Sequence, residues 1–577
     1  MTPGGPDVTY VSGRISGVTP VGGSALLNAS SQLRHKETHI VFKKWHGNPW
    51  AILVTLSLGF FMTLLDLTIV NIAIPDMGQD LGASLDEILW VVNAYTLALA
   101  VLLITAGRLG DLRGKRNLFM AGVAVFTLAS LACALAQDPA QLIAFRAVQG
   151  LGAALLMPQT LSIITEVFPA DRRGAAMGVW GAVAGISGAL GPIIGGALIT
   201  RLDWRWIFFV NLPLGVLVLA LAAAVVPASR RTVRHRFDTP GVLLASSALF
   251  CLAFALTEGQ RYDWNGWIRS LFGAAAVLFA GFLLHERGRQ NRDPLVPFSL
   301  FKDRNFTLVN LVGITVSFGV IGLFLPLTIY LQSVLGFSAL KSGLVLLPLA
   351  LGSFVTAGPA GVLADRIGGK FILMAGLLAW AAALLWIVAV ADAGSGWTTV
   401  AFPLLLAGLG AGCTFTPMAT EVMRNVPVRL SGAASGVNNA LRQVGSVLAG
   451  AVVGAVLQAQ LASSLTDQAR ERAGQLPAPY RDGFVAAFSE AESDVGARQS
   501  AAAPSGVPHG VADRMRALGG QVFGHGFVDA MGPALLVSAG VLLTGALACL
   551  AVRRHRGPSA NPHALPVYEP ELEEATS

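Results

Sequence analysis

Fourteen long apolar stretches, parted by short polar turns, make up most of this chain. They cover 50–75, 88–106, 118–136, 140–164, 175–200, 206–226, 240–256, 267–284, 308–331, 342–363, 371–390, 398–418, 433–457 and 533–552. A helix rises 1.5 Å per residue, so about twenty apolar residues cross a hydrocarbon core of about 30 Å. The pattern predicts an all-α polytopic membrane protein of about fourteen spanning helices. One polar segment, 458–529, separates the last two stretches. It is rich in Ala, Gln, Arg and Glu and reads as a partly helical surface insertion on the outer side.

Composition agrees with that class. Of 577 residues, 54% are hydrophobic and 13% charged, against about 25% charged in a soluble chain. The net charge of +7 raises the question of nucleic acid, and the placement of the charges answers it. With the N-terminus inside, the inner turns hold Arg108, Arg113, Lys115 and Arg116, then Arg172 and Arg173, then Arg230, Arg231, Arg234 and Arg236. Later inner turns hold Arg287, Arg289, Arg292, Lys302 and Arg304, then Arg366 and Lys370, Arg424 and Arg429, and Arg553, Arg554 and Arg556. The short outer turns hold only Arg201, Arg205, Arg261, Arg269 and Lys341, and the first of them is acidic, with Asp76, Asp80, Asp86 and Glu87. This is the positive-inside asymmetry of a bilayer protein, with both termini cytoplasmic, and not a nucleic-acid footprint. Trp204, Trp206, Trp264, Trp267 and Trp397 fall at outer ends, as an interfacial belt requires. Residues 1–47 lack the apolar core of a removable signal peptide, so the first span is expected to act as its own insertion signal. The acidic end of the chain reads as a disordered cytoplasmic tail. Cys133, Cys251, Cys413 and Cys549 all lie in apolar runs and read as small packing residues.

The chain repeats itself. GRLGDLRGKR begins at Gly107 and GVLADRIGGK at Gly361, 254 positions later. GLGAALLMP at Gly150 returns as GLGAGCTFTP at Gly408, and GAAMGV at Gly174 as GAASGV at Gly432, both 258 positions later. Two homologous six-helix halves related by a parallel repeat follow, with the substrate site expected between them near mid-membrane. The expected division is a tail at 1–47, a first bundle at 48–228, two inserted helices with linkers at 229–305, a second bundle at 306–552 and a tail at 553–577.

Candidate chemistry sits inside the spans. Asp66 is the one acid of the first stretch, nine residues before Pro75 and so about 13 Å in from the outer end. A carboxylate there costs roughly 2.5–3.5 kcal/mol on insertion scales, so it is expected to face protein or a wet cavity. Arg146, in LIAFRAVQGLGAALLMP, lies about 10 Å in from the same side. It either pairs with Asp66 or snorkels to the surface. The turn 107–116 is glycine-rich, and Asp111 is placed to meet a helix N-terminus or an Arg; its second copy makes a structural latch the stronger reading. Gly181, Gly185, Gly188, Gly191, Gly195 and Gly196 permit close helix packing, and Pro192 favours a bend. Asn211, in WRWIFFVNLPLG, is able to bond across helices. Arg442, in NNALRQVGSVLAG, reads as near an inner end, with structural, snorkelling and functional roles open. Glu166, Glu258 and Glu421 fall at helix ends and read as solvated. Phe61, Asn71, Gln149 and Met157 are candidate cavity residues, although core packing is the commoner task of Phe60, Phe61, Met62 and Met157. No GxxxxGK[ST] loop, HExxH, zinc-ligand cluster or nucleophile elbow occurs, which argues against an enzyme and against a bound metal or cofactor.

Taken together these motifs resemble the major facilitator superfamily, and within it the fourteen-helix drug:proton antiporters of the DHA2 type. LDLTIVNIAIP at 65–75 is similar to that group's first-helix signature. The turns at 107–116 and 361–370 resemble the superfamily's inner-loop motif, with Gly107, Asp111, Arg113, Gly114, Gly361, Asp365 and Arg366 as its switch residues. Arg146, Gln149 and Gly150 match the fourth-helix motif, and Gly191, Pro192, Gly195 and Gly196 the fifth-helix antiporter motif. One departure concerns the first turn, where Leu112 stands directly after Asp111 and Arg113 follows. The resemblance implies the major facilitator fold, two pseudo-symmetric bundles with two extra central helices. It implies a monomer in the cell membrane that exports small amphipathic drugs in exchange for protons, driven by the proton gradient. In this reading Asp66 carries the proton and Arg146 tunes it, and the substrate is neutral or monovalent and cationic. Export of an endogenous product, and a lipid or envelope role using 458–529, are the alternatives.

Overall fold

The computed structural model describes residues 45–83, 85–169, 172–227, 238–259, 261–290, 294–489 and 508–553. Most of both tails lies outside these residues, as do Arg230, Arg231, Arg234, Arg236, Arg292, Arg554 and Arg556. Fourteen long helices account for the described chain. They are α1 (Pro49–Asp80), α2 (Leu85–Arg113), α3 (Lys115–Ala134), α4 (Pro139–Val167), α5 (Arg173–Arg201), α6 (Trp206–Val225) and α7 (Thr239–Glu258). There follow α8 (Gly266–Arg289), α9 (Arg304–Ile329), α10 (Leu340–Ile367), α11 (Gly369–Val390), α12 (Trp397–Met423), α13 (Ser431–Ala473) and α14 (His509–Leu550). Thirteen of these are long and apolar enough to cross a membrane. The other, α5, is a 29-residue helix packed among them.

Polar residues start these helices. Asn48 accepts from the backbone of Trp50 and Ala51 ahead of Pro49, Asp138 caps α4 ahead of Pro139, and Asp238, Asn265 and Asp303 cap α7, α8 and α9. Each side chain satisfies a backbone N–H that has no carbonyl partner one turn back.

The two halves pack alike. In the first, α4 lies against α2 and α3, and α1 against α5 and α6; in the second, α12 lies against α10 and α11, and α9 against α13 and α14. The halves meet through exchanged pairs, α2 with α13 and α10 with α5. Between them α7 and α8 form a hairpin, with α7 touching α2 and α13. The outer faces are apolar: Val277 and Leu284 on α8 are each 72% exposed, which suits lipid and not water.

Three sequence expectations change. The described parts of segment 458–529 are helical and packed rather than a separate surface insertion. α13 runs on to Ala473, a short helix spans Ala478–Ser489, and α14 begins at His509. Leu461, Leu465 and Ala469 of α13 are buried, as are Phe523 and Phe527 of α14. The spacing of that apolar face extends the bundle beyond the membrane-length core. The centre of the segment, 490–507, lies outside the described residues. Trp204 is 3% exposed and is no belt residue. Its indole N–H donates to Asp80, which also pairs with Arg205 at 2.6 Å. These two donors hold the Asp80 carboxyl below the usual carboxylate range. Glu258 and Glu421 are buried, at 4% and 3% exposure, and not solvated.

Candidate functional site

Two sets of polar residues stand out, one inside the first bundle and one where the halves meet. The first is built on Asp66 of α1. Its Oδ2 accepts from Arg146 Nη1 at 2.5 Å, and its Oδ1 accepts from Gln149 Nε2 at 2.8 Å and from Asn211 Nδ2 at 3.3 Å. The three donors come from α4 and α6. Arg146 and Gln149 are three residues apart, so one face of α4 presents both. Arg146 also donates to the Val91 carbonyl of α2 and to Gln149 Oε1. Its guanidinium carbon lies 4.3 Å from the centroid of the Tyr95 ring. Asn211 further donates to Ser130 of α3.

The cluster is enclosed by protein atoms. Asp66, Gln149, Asn211 and Tyr95 are 0% exposed and Arg146 is 1% exposed. Arg146 therefore does not snorkel; it neutralises Asp66 at depth, which is how a buried charge is made tolerable. The arrangement aims three donors at the Asp66 carboxyl group. It also leaves no part of Asp66 exposed in this conformation. Tyr95 and Ser130 went unnoticed in the sequence because a lone polar residue in an apolar helix has no spacing signal. The cavity candidates fare unevenly. Gln149 joins the cluster. Phe61 and Met157 are half-buried, and Phe60, not Phe61, stacks on Trp180 with ring centroids 4.5 Å apart. Of Asn71 and Pro192 the helix position is described and the side chain is not.

The second set joins the halves at the end carrying the 107–116 turn. Asp111 accepts from the backbone N–H of Gly432 at 3.0 Å and of Ala433 at 2.9 Å, at the start of α13. In the mirrored place Asp365 accepts from Gly174 N–H at 2.9 Å, at the start of α5. Each carboxylate thus meets the positive end of a helix from the opposite half. Glycine permits the approach: a Cβ at Gly107 would strike the Gly432 carbonyl, and one at Gly361 the Gly174 carbonyl. The turns need glycine for a second reason, since Gly114 has φ +99° and Gly368 φ +89°. Lys115 adds bonds to Glu166 at 3.1 Å and to Ser431 at 2.7 Å. In the second half Glu421 accepts from Gly369 N–H at 2.9 Å and pairs with Arg424 at 3.0 Å. Arg113 and Arg366, expected as switch cations, are exposed; Lys115 and Arg424 take the inward positions because their places face the carboxylates. The glycines of α5 connect the two sets. A Cβ at Gly191 would meet Thr68, and one at Gly195 would meet Ile69, so α5 packs on α1 within a turn of Asp66. Gly196 lies instead against Leu340 of the second half.

Comparison with known proteins agrees with this architecture. The model of the Major Facilitator Superfamily matches residues 56–450. A tetracenomycin C resistance and export protein of Streptomyces glaucescens is 36% identical over 90% of this chain and 95% of its own length. The puromycin resistance protein pur8 of Streptomyces alboniger is 36% identical over 77% of this chain and 87% of its own. Among solved structures, the proton:xylose symporter XylE superposes with a TM-score of 0.57 at 13% identity, over 89% of this chain and 97% of that one. The chain belongs to the major facilitator superfamily.

Proposed function

We propose that this protein exports small amphipathic compounds across the cytoplasmic membrane in exchange for protons. The end carrying the 107–116 turn faces the cytoplasm, as its basic residues require, and both termini lie on that side. The observation that carries the reading is the buried Asp66–Arg146 pair, 2.5 Å apart in a span-forming helix. Relatives named for antibiotic resistance and export support the direction of transport.

In the conformation described, the cytoplasmic latches are closed and Asp66 accepts from Arg146, Gln149 and Asn211. A proton arriving from outside adds to an Asp66 oxygen and removes its charge. Arg146 then loses its Coulombic hold on α1 and keeps its bonds to Val91 and Gln149. α1 is freed to move against α4, and α5, packed on α1, carries that movement to the Gly174–Asp365 latch. Opening inward exposes Asp66 to the less acidic side, where it releases the proton and the pair re-forms.

The test is pH-gradient-driven movement of ethidium, Hoechst 33342 and puromycin in proteoliposomes. Asp66→Asn should abolish it while the protein still elutes as a single folded species; undiminished export by the variant refutes the role given to Asp66. A second reading, export of a compound the host cell makes itself, is favoured by the relative named for tetracenomycin C resistance and export. Accumulation of that compound inside a deletion strain would distinguish it.

A further inference from the structure

Arg442 of α13 is paired with no carboxylate among the described residues. Arg442 lies eleven residues after the start of α13 at Ser431, about 16 Å along the helix. That is mid-depth and not the inner end expected from the sequence, too far for its stem to reach the turn. Ser435, seven residues earlier and so on the same face, donates to the Pro158 carbonyl of α4 in the opposite half. Arg442 therefore stands two turns above the closed latch, on the side of α13 turned towards the first half. It is half-buried. Its guanidinium carbon lies 5.5 Å from the Phe415 ring centroid, and its stem passes the open face of Gly313 beside Met418.

Among the described residues no carboxylate pairs with this guanidinium, and two buried acids of the spans, Asp66 and Glu421, are engaged elsewhere. Asp66 is held by Arg146, and Glu421 by Arg424 and the Gly369 N–H. No acid occurs on α9, nor on α13 before Asp467. The repeat supplies no structural reason for the charge either, since the position 258 residues earlier is Ala184. An unpaired cation at membrane depth is costly, and a site that keeps one is suited to an anion from outside the chain. We propose that Arg442 receives the acidic group of an aromatic substrate, a carboxylate or an acidic phenol, while Phe415 and Met418 flank its apolar body. This rests on the export reading above, and it adds an acidic aromatic class to the neutral or cationic substrates expected from the sequence.

The probe pair is 1-pyrenebutyrate and its methyl ester, measured by fluorescence anisotropy on the full-length protein in lipid nanodiscs, with empty nanodiscs subtracted. The wild type should bind the acid at least tenfold more tightly than the ester. Arg442→Gln should weaken the acid about tenfold and leave the ester within twofold, and Arg442→Lys should restore part of the loss. Equal binding of acid and ester by the wild type, no binding of the acid, or an equal loss of both in Arg442→Gln overturns the proposal. The wild-type comparison needs no variant, so a poorly folding Arg442→Gln does not blunt the test. Binding is read without a pH gradient. A protein that prefers the acid through Arg442 but exports nothing on a gradient overturns the export reading alone; one that exports probes on a gradient but treats acid and ester alike overturns this one alone.

Discussion

Arg146 and Asp66 hold opposite unit charges 2.5 Å apart at no more than 1% exposure. Such a pair contributes little net stability, because desolvation offsets most of the attraction, but removing one partner strands the other. Arg146→Ala should therefore destabilise the protein by about 3–5 kcal/mol. Adding Asp66→Asn to that variant should recover part of the loss, because the stranded charge is gone. Thermal unfolding in detergent of the two single variants and the double variant measures this. An additive double variant would show that the two side chains do not depend on each other. The sequence gives the depth of both residues by counting, yet the choice between pairing and snorkelling turns on side-chain direction. Asn211 was visible as a polar residue in an apolar helix, but its place beside Asp66 depends on α6 returning next to α1.

Helix ends and their caps set the behaviour of the elements. Asp111 and Asp365 each cap a helix of the other half, and losing such a cap costs about 0.5–2 kcal/mol. On a two-state equilibrium that is a shift of about 2- to 30-fold. In a background lacking the native cysteines, a cysteine placed at Ser435 should react faster with a membrane-impermeant thiol reagent from the cytoplasmic side when Asp111→Ala is present. Asp365→Ala should act in the same direction, and the two together more than either alone; unchanged labelling would mean that the caps do not hold the closed state. The mirrored turns were legible because they recur at nearly one offset. Their cations were not: Arg113 stands in the motif yet is exposed, whereas Lys115 faces Glu166 and Ser431. Arg113 ends α2 and Lys115 starts α3, and Gly114 between them turns the chain at φ +99°, so spacing along a single helix does not tell which of the two faces inward.

At the scale of the whole molecule, the second bundle is taller than the first. α13 and α14 have 43 and 42 residues, against 29 for α5. Their continuation is closed by Leu461, Leu465, Phe523 and Phe527. Phe527→Ala should destabilise the protein by about 3–5 kcal/mol, as loss of a buried aromatic does. Deleting the short helix Ala478–Ser489 should leave gradient-driven export intact, since it lies apart from both polar sets. Unfolding curves check the first, and proteoliposome flux the second; a Phe527→Ala protein as stable as the wild type would mean that this extension is not part of the cooperative core. The polar composition of 458–529 hid the extension, because a helix pair in water needs only a narrow apolar seam.

The all-α class, the run of long apolar helices and their division into two repeated halves were fixed by the chain alone, since length and hydropathy bind every helix that must cross lipid. Which charges meet was decided by the tertiary structure. Asp66 finds Arg146 across 80 positions, Asp111 finds Gly432 across 321, and Arg442 meets Phe415 and Gly313 with no carboxylate partner among the described residues. Those outcomes depend on how helices distant in sequence are rotated against one another, a quantity that no local pattern carries.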